Sequence, residues 1–184
     1  MSKIIEIASK EIGTKESPLN SNNTKYGEWF GLDSVAWCGI FVSWVYSQAK
    51  CQLPKIGFSK GFAGCQTAVA YFKKNKLITD NPETGDIVFF DWNKDNRYDH
   101  TGIFVKWIDS NKTSFQSIEG NTAVGNDSNG GEVMKRTRKK SDAILVANYT
   151  KKGIKNYIGG NTFSEMMFAH YLGKKIYMVN PAPK

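Results

Sequence analysis

Side chains able to act together on an acyl group occur in a fixed order along this chain: a cysteine at 38, a histidine at 100, a glutamate at 119 and an asparagine at 121. Cys38 stands in Val35-Ala36-Trp37-Cys38-Gly39-Ile40-Phe41-Val42-Ser43-Trp44-Val45-Tyr46, after the short polar loop Gly31-Leu32-Asp33-Ser34 and at the head of an apolar run of helical length. A thiol at a helix start feels the positive end of the backbone dipole and unpaired N–H groups, and both favour the nucleophilic thiolate. His100 opens the strand-like run Asp99-His100-Thr101-Gly102-Ile103-Phe104-Val105 and supplies a base. Ser117-Ile118-Glu119-Gly120-Asn121 ends a further strand with a carboxylate and an amide, either able to orient an imidazole. Cysteine, then histidine, then a polar partner is the chain order of a thiol hydrolase.

Other residues compete for these roles. Cys65 also lies near a predicted helix start, so on local pattern alone it rivals Cys38; Cys51, past the end of the central helix, reads as structural. The second histidine, in Phe168-Ala169-His170-Tyr171, reads as a partly buried residue on one face of a tail helix. Trp29 and Trp37 are core aromatics or the lining of a sugar or peptide groove; Trp37 is the candidate for contact with substrate. Asp91-Trp92-Asn93-Lys94-Asp95-Asn96-Arg97-Tyr98-Asp99 carries oxygen side chains at alternate positions, like the first half of an EF-hand loop. Asn96 replaces the usual glycine and tolerates a left-handed turn, whereas Gly102 stands where the closing glutamate belongs. Two readings stay open there: a solvated polar hairpin, or a structural calcium on Asp91, Asn93 and Asp95 with the Arg97 carbonyl, bracing the loop before His100. The chemistry itself requires no cofactor.

These side chains need elements to hold them. Ile4, Ile5, Ala8 and Ile12 at helical spacing predict a helix running to about Gly13. Lys15 to Lys25 is polar and loop-like, and Tyr26-Gly27-Glu28-Trp29-Phe30 is an aromatic cluster ahead of the cysteine. The helix from about Trp37 is apolar all round and must be the buried central one. A further helix is predicted across Cys65 to Lys74. A turn at Pro82-Glu83-Thr84-Gly85-Asp86 leads into the strand Ile87-Val88-Phe89-Phe90, with later strands at Gly102 to Trp107, Ser114 to Glu119 and Ala143 to Tyr149. Phe163 to Tyr171 reads as a short helix and Ile176 to Val179 as a strand. Helices first and strands afterwards predict an α+β fold with helices packed on an antiparallel sheet.

Composition narrows the class. A chain of 184 residues with 40% apolar content has room for one sizeable core and is not disordered. No apolar run is long enough to cross a bilayer. Charges in Met1-Ser2-Lys3-Ile4-Ile5-Glu6 interrupt what a signal peptide would keep apolar, so synthesis in a cytoplasm is expected. Three cysteines without zinc-type spacing predict unpaired thiols in a reducing compartment. The net charge is +8 and its basic residues concentrate late, at Lys135, Arg136, Arg138, Lys139 and Lys140, then Lys151, Lys152 and Lys155, then Lys174 and Lys175. Solvated strand and loop faces, or attraction to a polyanion, account for that charge equally well. No helix-turn-helix, zinc-finger or aromatic signature accompanies it, so nucleic acid is not the expected partner.

The combination Ala36-Trp37-Cys38-Gly39-Ile40-Phe41-Val42-Ser43-Trp44, Gly85-Asp86-Ile87-Val88-Phe89-Phe90, Asp99-His100-Thr101-Gly102-Ile103 and Glu119-Gly120-Asn121-Thr122 resembles the CHAP family of cysteine, histidine-dependent amidohydrolases/peptidases. Asn22 to Gly31 and Ser128 to Gly131 resemble the same regions of phage endolysins and wall hydrolases. The resemblance covers residues 1–149 as a catalytic domain and leaves 150–184 as an extension of open role. It implies a papain-like thiol hydrolase fold and cleavage of an amide bond in bacterial peptidoglycan through a thioester. Cys38 is then the nucleophile, His100 the base, Glu119 the residue orienting the imidazole and Asn121 the additional polar residue. The implied partners are peptidoglycan and anionic wall polymers. The charged N-terminal segment, unlike a signal peptide, favours a phage lysin that reaches the wall through another protein's membrane lesion; a toxin injected by a secretion machine would use the same chemistry in another setting. Two other readings remain: a transglutaminase-like acyl transferase on the same fold, and an inactive wall- or nucleic-acid-binding module, against which the complete Cys38, His100, Glu119 set argues.

Overall fold

The computed structural model describes residues 2–79, 81–140 and 144–147. Helices α1 (Lys3–Lys10), α2 (Lys25–Phe30), α3 (Cys38–Gln48) and α4 (Cys65–Lys74) precede strands β1 (Ile78–Thr79), β2 (Ile87–Phe90), β3 (His100–Trp107), β4 (Ser114–Thr122), β5 (Glu132–Lys139) and β6 (Ile144–Ala147). The strands form one antiparallel sheet in the order β1-β6-β2-β3-β4-β5. This is the expected α+β arrangement.

α3 organises the molecule. It is apolar on every face, so it must be enclosed, and it packs against α1 and α2 on one side and β3 and β4 on the other. Ile40, Phe41 and Val42 have no exposed surface. Truncating Phe41 to alanine would cost about 3–5 kcal/mol, lost burial plus a cavity. Ser43, a buried hydroxyl in the middle of α3, donates to the Phe62 carbonyl at 2.8 Å and accepts from the Phe62 N–H at 3.0 Å. These bonds fix the loop before α4 against α3. Gly39 makes the approach possible, because a Cβ there would stand 2.3 Å from the Ala63 carbonyl oxygen. The heads of α3 and α4 therefore lie side by side.

β2 is buried along its whole length. Ile87 and Phe89 join the core under the helices, while Val88 and Phe90 join Phe104 and Phe115 on the opposite face. That explains its unbroken apolar sequence, since neither face alternates with solvent.

Some expectations are corrected. The aromatic cluster at 26–30 is a helix: the Thr24 hydroxyl accepts from the Gly27 N–H at 3.0 Å, and Gly31 ends it at φ +86°. α1 stops at Lys10, and the chain turns at Gly13, where φ is +91°. The basic stretch from Lys135 belongs to β5, an edge strand on which Lys135 and Lys139 are exposed, a common way to keep an edge from pairing. The short strand β1 was not anticipated. His170, the helix and strand expected beyond residue 160, the boundary at 149/150 and Lys151, Lys152, Lys155, Lys174 and Lys175 lie outside the described residues.

Candidate active site

Cys38 is the first residue of α3 and only 5% exposed. No side chain caps this helix start, which leaves the first-turn N–H groups free to face an anion. Cys65 is the first residue of α4, also uncapped by a side chain and also buried. The two sulfurs lie 3.8 Å apart, both as free thiols.

His100 is the first residue of β3, paired with Phe90 of β2. Its ring is fully buried near two aromatic rings, with centroids 5.9 Å from Phe90 and 5.7 Å from Trp92. Glu119, equally buried, comes from β4, and its Oε2 lies 3.2 Å from His100 Nε2. This is a charged contact, since neither ring nitrogen has an aligned hydrogen-bond partner. With Nε2 at the carboxylate, Nδ1 is the nitrogen left for Cys38. Gly102 gives the carboxylate its room: a Cβ there would stand 2.6 Å from Glu119 Cγ.

Glu119 has further partners that sequence reasoning missed. The Ser117 hydroxyl donates to Oε1 at 2.5 Å, Arg138 Nε donates to Oε1 at 2.9 Å, and Arg138 Nη2 donates to Oε2. Arg138 Nη1 donates to Asp127 Oδ1 at 2.9 Å, and the guanidinium lies over Phe90 and Trp92. In the sequence Arg138 is one cation in a basic run. Only the β4–β5 pairing, which sets Phe115 opposite Arg138 and Glu119 opposite Met134, brings it within reach.

These contacts set the charges. The Cys65 thiol beside Cys38, then His100 and the Gly39 N–H, hold Cys38 well below the ordinary thiol range, although burial opposes this. Cys65, hydrogen-bonded to that sulfur and buried, is pushed well above it. Burial works against a charge on His100, but Cys38 and Glu119 outweigh it and raise the imidazole to about 9. Burial likewise opposes the Glu119 carboxylate, but Arg138 and then His100 bring it down to about 2. These contacts favour the thiolate of Cys38, the imidazolium of His100 and the carboxylate of Glu119.

Two expected residues are placed differently. Asn121 is buried with φ at +60°, and its amide is engaged away from the imidazole. Its Nδ2 donates to Asn22 and Asn129 side chains at 3.3 and 3.0 Å, and its Oδ1 accepts from the Gly131 N–H at 3.0 Å. It ties the 22–24 and 128–131 segments to the end of β4. Trp37 has no exposed surface, its ring stacked on Tyr26 at 5.5 Å, so it is a core residue and offers a groove nothing.

In the 91–99 loop Asp91 accepts from the N–H groups of Asp95 (3.2 Å) and Asn96 (2.9 Å), and Asn96 sits at φ +65°. Asn93 Oδ1 accepts from the Asp95 N–H at 3.3 Å, and Asp95 Oδ1 from the Arg97 N–H at 2.8 Å. The three side chains thus fold over one turn. Among the described residues no group of three or more His, Cys, Asp or Glu side chains is placed to hold a metal, and any ion here would need the Asn93 amide.

A thiol, an imidazole and a carboxylate carried on a helix head and two adjacent antiparallel strands define a papain-like thiol hydrolase. The family model of the CHAP domain matches residues 30–121, half of the chain and the span holding Cys38, His100, Glu119 and Asn121. The chain belongs to the CHAP family, and it is a peptidoglycan hydrolase of the cysteine, histidine-dependent amidohydrolase/peptidase class. Among solved structures it is similar to a wild-type endolysin, LysIME-EF1, at 11% identity and a TM-score of 0.45, over 95% of this chain and 88% of that one. No curated protein matches the chain.

Proposed function

We propose that Cys38 and His100 hydrolyse an amide of the peptidoglycan stem, with Glu119 holding the imidazole. The observation that carries this is the buried line of Cys38, His100 and Glu119, with charges set by their contacts. The Cys38 thiolate attacks the carbonyl carbon, and the developing oxyanion meets the backbone N–H of Cys38 at the helix start. Imidazolium protonates the departing amine as the C–N bond breaks, leaving a thioester on Cys38. Neutral His100 then takes a proton from water, whose oxygen attacks the thioester and releases the acid. Glu119 fixes the ring and stabilises its charged form. Asn121 shapes the strand end beneath the site rather than touching the imidazole.

The bond cut is either the amide joining glycan to the first stem residue or one within the peptide or cross-bridge. Mass spectrometry of digested walls separates the two, because each cleavage exposes a different new amine. Release of a lactyl-linked carboxyl with an intact stem peptide identifies an amidase; a new N-terminus within the peptide identifies an endopeptidase. Transfer of the acyl group to an added amine in preference to water would replace hydrolysis by the transglutaminase-like reading.

The setting that fits this chemistry is the bacterial wall, reached after release from the cell that makes the protein. No helix among the described residues is long and apolar enough to cross a membrane. Exposed Lys135, Lys139 and Lys140 supply attraction to anionic wall polymers, whereas Arg136 and Arg138 are engaged by Asp127 and Glu119. The 91–99 loop is the place for a structural calcium, held by Asp91, Asn93 and Asp95. The left-handed Asn96 and the alternate spacing support that reading.

A further inference from the structure

Arg138 carries a buried charge that none of the steps above uses. A guanidinium out of water is costly unless its donors are taken up. Here they are: Nε and Nη2 form a two-pronged pair with Glu119, and Nη1 reaches Asp127. Its flat face covers Phe90 and Trp92, the two rings that also flank His100. A fork of this kind fixes both the position and the plane of a carboxylate. We propose that Arg138, clamped by Asp127, is a positioning residue for hydrolysis, holding Glu119 as an anion in the orientation from which Oε2 meets His100 Nε2. This rests on the reading of Cys38, His100 and Glu119 as the reacting set.

The groups around Glu119 give the sign. His100 faces it from β3, Arg138 from β5 and Ser117 from its own strand; Cys38 and Cys65, with Asp99 near Cys65, lie beyond the imidazole, and Asp127 and Arg136 flank Arg138. Without Arg138, a fully buried carboxylate keeps only the Ser117 hydroxyl and the imidazolium, so burial drives it towards the neutral acid. A protonated Glu119 is a weaker acceptor for the ring N–H and no longer fixes the imidazole towards Cys38, so activity fails on acidification at a higher pH.

The experiment is the pH profile of kcat/KM on a soluble peptidoglycan fragment, with melting curves, for wild type, Arg138→Gln, Arg138→Lys, Asp127→Asn and Glu119→Gln. The acid limb of Arg138→Gln should move up by a unit or more, an activity loss of about tenfold or more below the new limb. Arg138→Lys should recover part of the shift. Asp127→Asn, altering a residue whose side chain is 42% exposed, should move the limb the same way by less, and carries the test should Arg138→Gln fail to fold. An unmoved limb, with activity unchanged or lowered equally at every pH, overturns the proposal. If Glu119→Gln lowers activity and brings the basic limb down while the Arg138 and Asp127 variants keep the wild-type acid limb, only the role of Arg138 fails. If Glu119→Gln is also fully active at every pH, the reading of the site fails with it.

A separate observation, the 3.8 Å between the Cys38 and Cys65 sulfurs, carries a second inference. Each thiol opens a helix, and the missing Cβ of Gly39 lets those helix heads meet. The geometry points to Cys65 as a resolving thiol for Cys38 under peroxide. The thiolate attacks one peroxide oxygen, giving Cys38 sulfenic acid and water after one proton is taken up. The Cys65 sulfur then displaces hydroxide from that sulfenic sulfur, forming the disulfide and a second water. Hydrogen peroxide added to the native protein, with peptide mapping, tests this independently of wall cleavage. A Cys38–Cys65 linked peptide, and activity restored by dithiothreitol, are expected for wild type. Cys65→Ala and Cys65→Ser should instead accumulate irreversible sulfinate on Cys38. Absence of the linkage, linkage through exposed Cys51 in its place, or equal recovery in all three proteins overturns it.

Discussion

Glu119→Gln removes a charge while keeping the side chain's shape, so it isolates what the carboxylate does for His100. The imidazole sits at about 9 against an ordinary value of 6.5, raised by Cys38 first and Glu119 second against the pull of burial. That gap corresponds to on the order of 3 kcal/mol in favour of the imidazolium. Loss of an opposite charge this close typically withdraws about one pH unit or more. The direction follows from the sign of the perturbation. A raised pKa keeps the imidazolium through neutrality and loses it as pH rises through about 9; without Glu119 that loss begins earlier. The basic limb of kcat/KM on a soluble fragment should therefore fall by about one pH unit. An NMR titration of the His100 ring should show the same fall. Folding stability follows the same linkage: the contribution of charged His100 is full below 6.5 and gone above about 9. A basic limb that stays in place, or rises, would refute the assignment of Glu119 as the residue that stabilises the imidazolium.

Three other perturbations test parts of the account. Gly102→Ala puts a Cβ 2.6 Å from Glu119 Cγ and 3.1 Å from the Ile118 carbonyl, so it should cost about 1–3 kcal/mol in a thermal melt and at least tenfold in kcat/KM; full activity would mean the carboxylate has slack. Lysis of whole cells should fall steeply with added salt while cleavage of a small neutral peptide changes little, if exposed Lys135, Lys139 and Lys140 draw the enzyme to an anionic wall. Equal sensitivity of both substrates would place the salt effect on the site itself. A chelator should lower the melting temperature and calcium restore it, if the 91–99 loop holds an ion; a melt indifferent to both would leave that loop a polar hairpin.

The order of elements and the head-of-helix cysteine could be read from the sequence, because each follows from local rules. A largely apolar stretch of helical length has to be a buried helix, and its first residue has to meet the dipole. The position of Arg138 could not be read that way. Its approach to Glu119 depends on strand pairing between segments nearly twenty residues apart, and a basic run gives no sign of register. The contact of Cys65 with Cys38 was hidden for a similar reason: it needs the bare edge at Gly39 and the Ser43–Phe62 bonds that bring two helix heads together. Helix α2 carried readable signals, Thr24 before it and Gly31 after it, that its cluster of aromatic residues obscured. Asn121 was placed by motif near the histidine, but a left-handed backbone turns its amide to Asn22, Asn129 and Gly131 instead.

The central claim is that a thiolate at position 38 opens the amide. Purified peptidoglycan digested with wild type and with Cys38→Ala, read by mass spectrometry beside a melting curve, tests it most directly. Cys38 is only 5% exposed, but shortening it to alanine removes a single sulfur atom, so the protein should stay folded at a cost of about 1–2 kcal/mol. Wild type should release fragments with one kind of new amine terminus, and Cys38→Ala none above the level of untreated wall. A folded Cys38→Ala protein that releases the same fragments would contradict the account.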